Sequence, residues 1–125
     1  MQDRFRFRVW LKDTNKMYNV HSLHIGTNKA IISSRYGNVS IYINKNSILM
    51  QSTGLKDKNG KLIYEGDRVY IDCEDETAII KWSDDLARFT IHFEDEAVFA
   101  DFDNYYSKEL KVIGNIYENS ELPKE

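Results

Sequence analysis

At 125 residues the chain suits one domain or two small lobes, and 42% hydrophobic against 30% charged residues excludes a disordered tail. The net charge of −3 conceals a split: residues 1–60 hold ten Lys/Arg and three Asp/Glu, residues 61–125 seven and seventeen. The single cysteine, Cys73, excludes an intramolecular disulfide, so a reducing, cytoplasmic setting is expected.

The opening MQDRFRFRVW alternates charge and ring, which is not the apolar run of a signal peptide, and no later stretch has membrane-spanning length. Within it, Arg4 to Trp10 reads as a strand, with Phe5, Phe7 and Val9 on one face and Arg4, Arg6 and Arg8 on the other. Residues 12–16 form a polar turn and Met17 to Ile25 the returning strand of a hairpin. Ala30 to Ser34 and Val39 to Ile43 are two further β-branched runs, joined at Arg35-Tyr36-Gly37-Asn38. Their alternation turns Val39, Ile41 and Ile43 inward and Ser40 and Tyr42 outward. Beyond the stretch Leu49 to Ile71 come strands over 68–72, 77–82, 88–93 and 97–102, with Ala78, Ile80 and Trp82 sharing one face. Asp101 to Leu110 is the one helix candidate, capped by Asp101 or Asp103, and Lys111 to Tyr117 is a closing strand. Many short strands between frequent turns predict a mostly β fold.

Leu49 to Ile71 holds three of the six glycines and joins the basic part of the chain to the acidic part. Asp57-Lys58-Asn59-Gly60 begins like a calcium loop, but Asn59 and Lys61 supply at most one neutral oxygen, and Arg68 stands where the distal Glu is needed. Asn59-Gly60 instead suits a type I′ turn. Glu65 and Asp67 share a strand face, as a catalytic carboxylate pair would, yet a backbone bend at Gly66 explains them without chemistry. His21 and His24 fall on opposite faces of a strand, His92 stands alone, and the acidic surroundings of Cys73 blunt its nucleophilicity. No metal, cofactor or enzymatic activity is expected from these residues.

The run 51–67, QSTGLKDKNGKLIYEGD, resembles the signature of the YopX family of small phage and prophage proteins. RFRVW (6–10), KMY (16–18) and VIGNIYEN (112–119) resemble the opening and close of that family, while Ser52 and Ser120 replace an expected Tyr and Pro. The resemblance implies a single YopX-like domain over 1–125. Residues 1–48 would form an N-terminal β lobe of hairpins packed on an SH3-like small barrel over 49–122, with a tail at 123–125. It implies a phage or prophage origin in a bacterial cytoplasm, and it supplies no reaction.

Function is therefore expected to reside in binding. The dense aromatic content, eight tyrosines included, and the missing catalytic cluster point to a non-enzymatic accessory protein that contacts another protein or itself. The alternative is nucleic-acid binding through Arg4, Arg6 and Arg8, whose guanidinium groups suit phosphates or an acidic partner. The same arginines on an edge strand would also guard it against unwanted pairing. A third possibility docks this basic face on the acidic half of another copy.

Overall fold

The structure, a computed structural model, describes residues 3–94 and 99–118. In chain order the strands are β1 (Phe7–Leu11), β2 (Lys16–His24), β3 (Lys29–Ser34), β4 (Gly37–Tyr42), β5 (Ser47–Lys56), β6 (Leu62–Tyr64), β7 (Asp67–Ile71), β8 (Glu76–Ser83), β9 (Arg88–Phe93), β10 (Phe99–Asp101) and β11 (Leu110–Asn115). A single helical turn, α1 (Asn104–Ser107), precedes β11. The fold is mostly β, as expected, and every strand pair is antiparallel.

The chain divides into two compact units, Arg6–Gln51 and the remainder, so the residues before Arg6 belong with those from Ser52 onward. In the Arg6–Gln51 unit the strands run β4-β3-β2-β1 and then the first half of β5. β1 is hydrogen-bonded on both sides, by β2 and β5, and three consecutive residues, Arg8, Val9 and Trp10, are buried. Ala30 and Ile32 on β3 and Met50 on β5 are buried with them. β2 is bulged between Val20 and Ser22 in its pairing with β3, and both His21 and His24 are exposed.

In the second unit the strands run β10-β9-β8-β7-β11, while β6 pairs with the second half of β5. Ile63, Val69, Ile71, Ala78, Ile80, Ile91 and Leu110 form a fully buried cluster, with Phe89, Phe93, Phe102, Tyr106 and Val112 packed against it. The second half was expected to close into an SH3-like barrel, but this sheet is open. Closure requires the two end strands to meet in a staggered ladder. Here the ends are β10, only three residues long, and β11, whose one ladder in the sheet is with β7.

Three local expectations also change. The Asp101–Leu110 helix shrinks to the single turn of α1, because Leu110 returns to a strand as a fully buried core residue. Its cap is Asp103, whose Oδ1 accepts the Tyr106 N–H at 2.9 Å. Trp82, expected inward with Ala78 and Ile80, is 43% exposed at the far end of β8. There it packs edge-on against its cross-strand neighbour Phe89 at 5.0 Å, and its Nε1–H donates to Asp84 Oδ1 at 2.8 Å.

The turn after β5 is not type I′, since Asn59 keeps a negative φ and only Gly60 is left-handed, at φ +84°. It is a type I turn followed by an αL glycine, closed by Gly60 N–H donating to Asp57 O at 3.0 Å and Asp57 N–H to Lys61 O at 2.8 Å. The Asp57 side chain is buried at 6% exposure and holds the turn together. Its Oδ1 accepts the N–H groups of Asn59 and Lys61 at 2.9 and 2.8 Å, and its Oδ2 accepts Val112 N–H at 2.9 Å. One carboxylate thus ties the central stretch to β11. Asp67 does similar work at the next bend, 1% exposed with Oδ2 accepting Tyr64 N–H at 2.8 Å.

Candidate interaction surface

The three arginines singled out from the sequence do not share a strand. Arg4 lies in a 3-10 turn, Asp3–Phe5, with its guanidinium 4.5 Å over the Phe5 ring, and β1 begins only at Phe7. Arg4 and Arg6 are exposed, but Arg8 is 9% exposed and its Nη2 lies 3.8 Å from Met50 Sδ, the methionine opposite it in the ladder. A strand hydrogen-bonded on both sides has drawn the third guanidinium inside. The sequence shows alternation, but nothing local says that β1 is central rather than at an edge.

The edge lies at β4 instead. β4 ends its sheet, with Ser34↔Gly37, Ile32↔Val39 and Ala30↔Ile41 among its pairs to β3. Ser34 builds the joining turn, its Oγ accepting Tyr36 N–H at 3.1 Å and donating to Gly37 O at 2.7 Å, with Gly37 at φ +112°. At the other end Ile43 N–H donates to Asn28 O at 2.7 Å. In an antiparallel ladder hydrogen-bonded pairs alternate, so Gly37, Val39, Ile41 and Ile43 turn their backbone groups toward β3. Asn38, Ser40 and Tyr42 therefore turn theirs outward. The Tyr42 carbonyl already accepts the Ser47 hydroxyl at 3.1 Å, leaving its second lone pair.

The side chains of β4 divide the same way. Val39 and Ile41 stand opposite Ile32 and Ala30, which are buried, so they occupy the rim of an apolar face. Expected inward, Val39 is 41% exposed because no strand among the described residues lies beyond it. Tyr36 is 85% exposed and Tyr42 63%, the latter with Lys29 Nζ 5.2 Å from its ring centre. Gly37 to Tyr42 contains no charged residue and no proline. Natural edge strands commonly carry such residues, or a covering loop, to block pairing.

A second concavity, of about 400 Å³, opens beside the β8–β9 hairpin between Lys81, Trp82, Leu86 and His92. Two of its polar side chains are engaged locally: Trp82 donates to Asp84, and His92 Nε2 lies 3.0 Å from Thr90 Oγ1. Burial, and then the nearby Lys81 ammonium, hold the His92 pKa below its ordinary value. Among the described residues no group of three or more His, Cys, Asp or Glu is placed to hold a metal ion. Nor is any helix among them long and apolar enough to cross a membrane.

The family model for the YopX protein matches residues 6–124. The chain belongs to the YopX family. Two solved structures of similar proteins cover nearly all of it. EF1440 from Enterococcus faecalis is 29% identical over 95% of this chain and 97% of that one, with a TM-score of 0.64. The yopX protein of Bacillus subtilis is 24% identical over 97% and 99%, with a TM-score of 0.62. No curated protein matches. In this YopX-family chain Asp57 and Asp67, both within the run 51–67, act as backbone staples.

Proposed function

We propose that the chain is a non-enzymatic accessory protein of phage or prophage origin, acting in the bacterial cytoplasm as a protein-interaction module through β4. The observation that carries this reading is the edge itself: a six-residue strand, uncharged and exposed along most of its length, with outward backbone groups at Asn38 and Ser40. Strand addition at such an edge draws affinity from main-chain hydrogen bonds and specificity from alternate side chains. Val39 at the rim and Tyr36 and Tyr42 beside it supply those side chains.

Ser40→Pro tests it. The Ser40 N–H points away from β3, so proline there removes an outward donor while sparing the ladder. Wild-type protein is expected to retain protein partners, its own copies included, from a bacterial lysate whether or not nuclease is added, and Ser40→Pro to lose them. Retention that nuclease abolishes, or that Ser40→Pro leaves unchanged, overturns the reading.

A further inference from the structure

Resting on the reading of β4 as the association strand, we infer that its occupant is β4 of a second copy, paired antiparallel about a two-fold axis at Ser40. The register follows from the backbone. Outward-facing residues must meet outward-facing residues, which sets Ser40 opposite Ser40 and Asn38 opposite Tyr42 as hydrogen-bonded pairs. The intervening positions then bring Val39 opposite Ile41, twice, as non-hydrogen-bonded pairs, whose side chains approach most closely. Those are the β-branched residues on the apolar rim, so the second copy continues the face that Ile32 and Ala30 begin.

Two features favour a second copy over a foreign strand. A two-fold places each residue near a symmetry-related copy of its neighbours, so charge within the strand would be repelled, and Gly37 to Tyr42 has none. The strand is also chemically symmetric about Ser40, with a β-branched residue on each side and a polar or tyrosine side chain beyond it. The chain turns away at both ends, at Arg35-Tyr36 and at Asn44 to Ser47, which bounds the pairing. Six residues a side fall well short of the roughly 20–30 of a stable interface. The dimer is accordingly weak and forms with rising concentration.

Cross-linking in the full chain tests the register. In a Cys73→Ser background, Ser40→Cys places two cysteines opposite each other at a Cα separation of about 5.5 Å, within disulfide range. Mild oxidation is expected to give a disulfide-linked dimer at least tenfold faster than Asn38→Cys, which the register sets far from its own copy. Wild-type protein is expected to associate with concentration in sedimentation runs, and Ser40→Pro, checked for native circular dichroism, to need at least tenfold more protein. Equal cross-linking of the two cysteine variants overturns the register. If no association is seen while β4-dependent capture of another protein persists, the second copy is wrong and the interaction module stands. If β4-dependent capture fails too, both fall.

Discussion

Asp57 performs a task that is easily mistaken for ligand binding. Its carboxylate accepts three backbone N–H groups while 6% exposed, so the buried acceptor is satisfied by donors from two segments. Hydrogen bonds to a charged acceptor contribute more than neutral ones, and Asp57→Ala strands the donors it leaves. The expected cost is about 3 kcal/mol in urea unfolding, with a smaller loss for Asp57→Asn, which keeps one acceptor oxygen. Unchanged unfolding midpoints would show that water replaces the carboxylate. Gly54 makes a related point: at φ +84°, an added Cβ would sit 3.0 Å from Arg4 Cβ, so the signature glycine is fixed by both conformation and space. The sequence marked Asp57 to Gly60 as a turn, but the long-range partners, Val112 for Asp57 and Arg4 for Gly54, depend on how distant segments pack.

At the scale of elements, strands were legible where apolar residues alternate, as at β7 and β9, or where β-branched residues cluster, as at β3. Position within a sheet was not. Val39 was expected inside because its neighbours alternate correctly, and it does point to the apolar side, yet no strand among the described residues lies beyond β4. Arg8 fails in the opposite sense, a charge on a strand flanked by two others. The helix over 101–110 was overestimated because local propensity could not register the pull of Leu110 into the core. What remains, α1, carries Tyr106 onto that core with its hydroxyl donating to Glu74 at 3.3 Å. Burial, and then the Glu74 carboxylate, push the Tyr106 pKa up to about 12. Below pH 10.0, the ordinary tyrosine value, the phenol is neutral in the folded and unfolded chain alike, and its contribution to stability is complete. Between there and about 12 the unfolded chain releases this proton while the folded one holds it, so stability falls. Tyr70 and Tyr117 are shifted in the same direction and add to the slope. Tyr106→Phe is expected to lessen the loss of urea midpoint across that range; a slope equal to wild type would remove Tyr106 from the account.

Across the whole molecule the charge split offers a rival to strand pairing, since basic residues of one copy can attract acidic residues of another. Salt separates them. Attraction between exposed opposite charges weakens as the screening length shrinks to about 10 Å near 0.1 M. Pairing through β4 is uncharged from Gly37 to Tyr42, so added salt is expected to leave it unchanged. Sedimentation at low and high salt reads the difference directly, and dissociation on adding salt would favour the charge-driven contact. A different consequence comes from β5, whose first half pairs with β1 and whose second half pairs with β6 in the other unit. The division between the units falls within this strand, after Gln51. A single crossover between related genes at residues 51 and 52 would leave both ladders of β5 intact, yet it would part the residues before Arg6 from the rest of their unit. Exchange of either unit intact therefore needs two crossovers, one near residue 5 and one near residue 51.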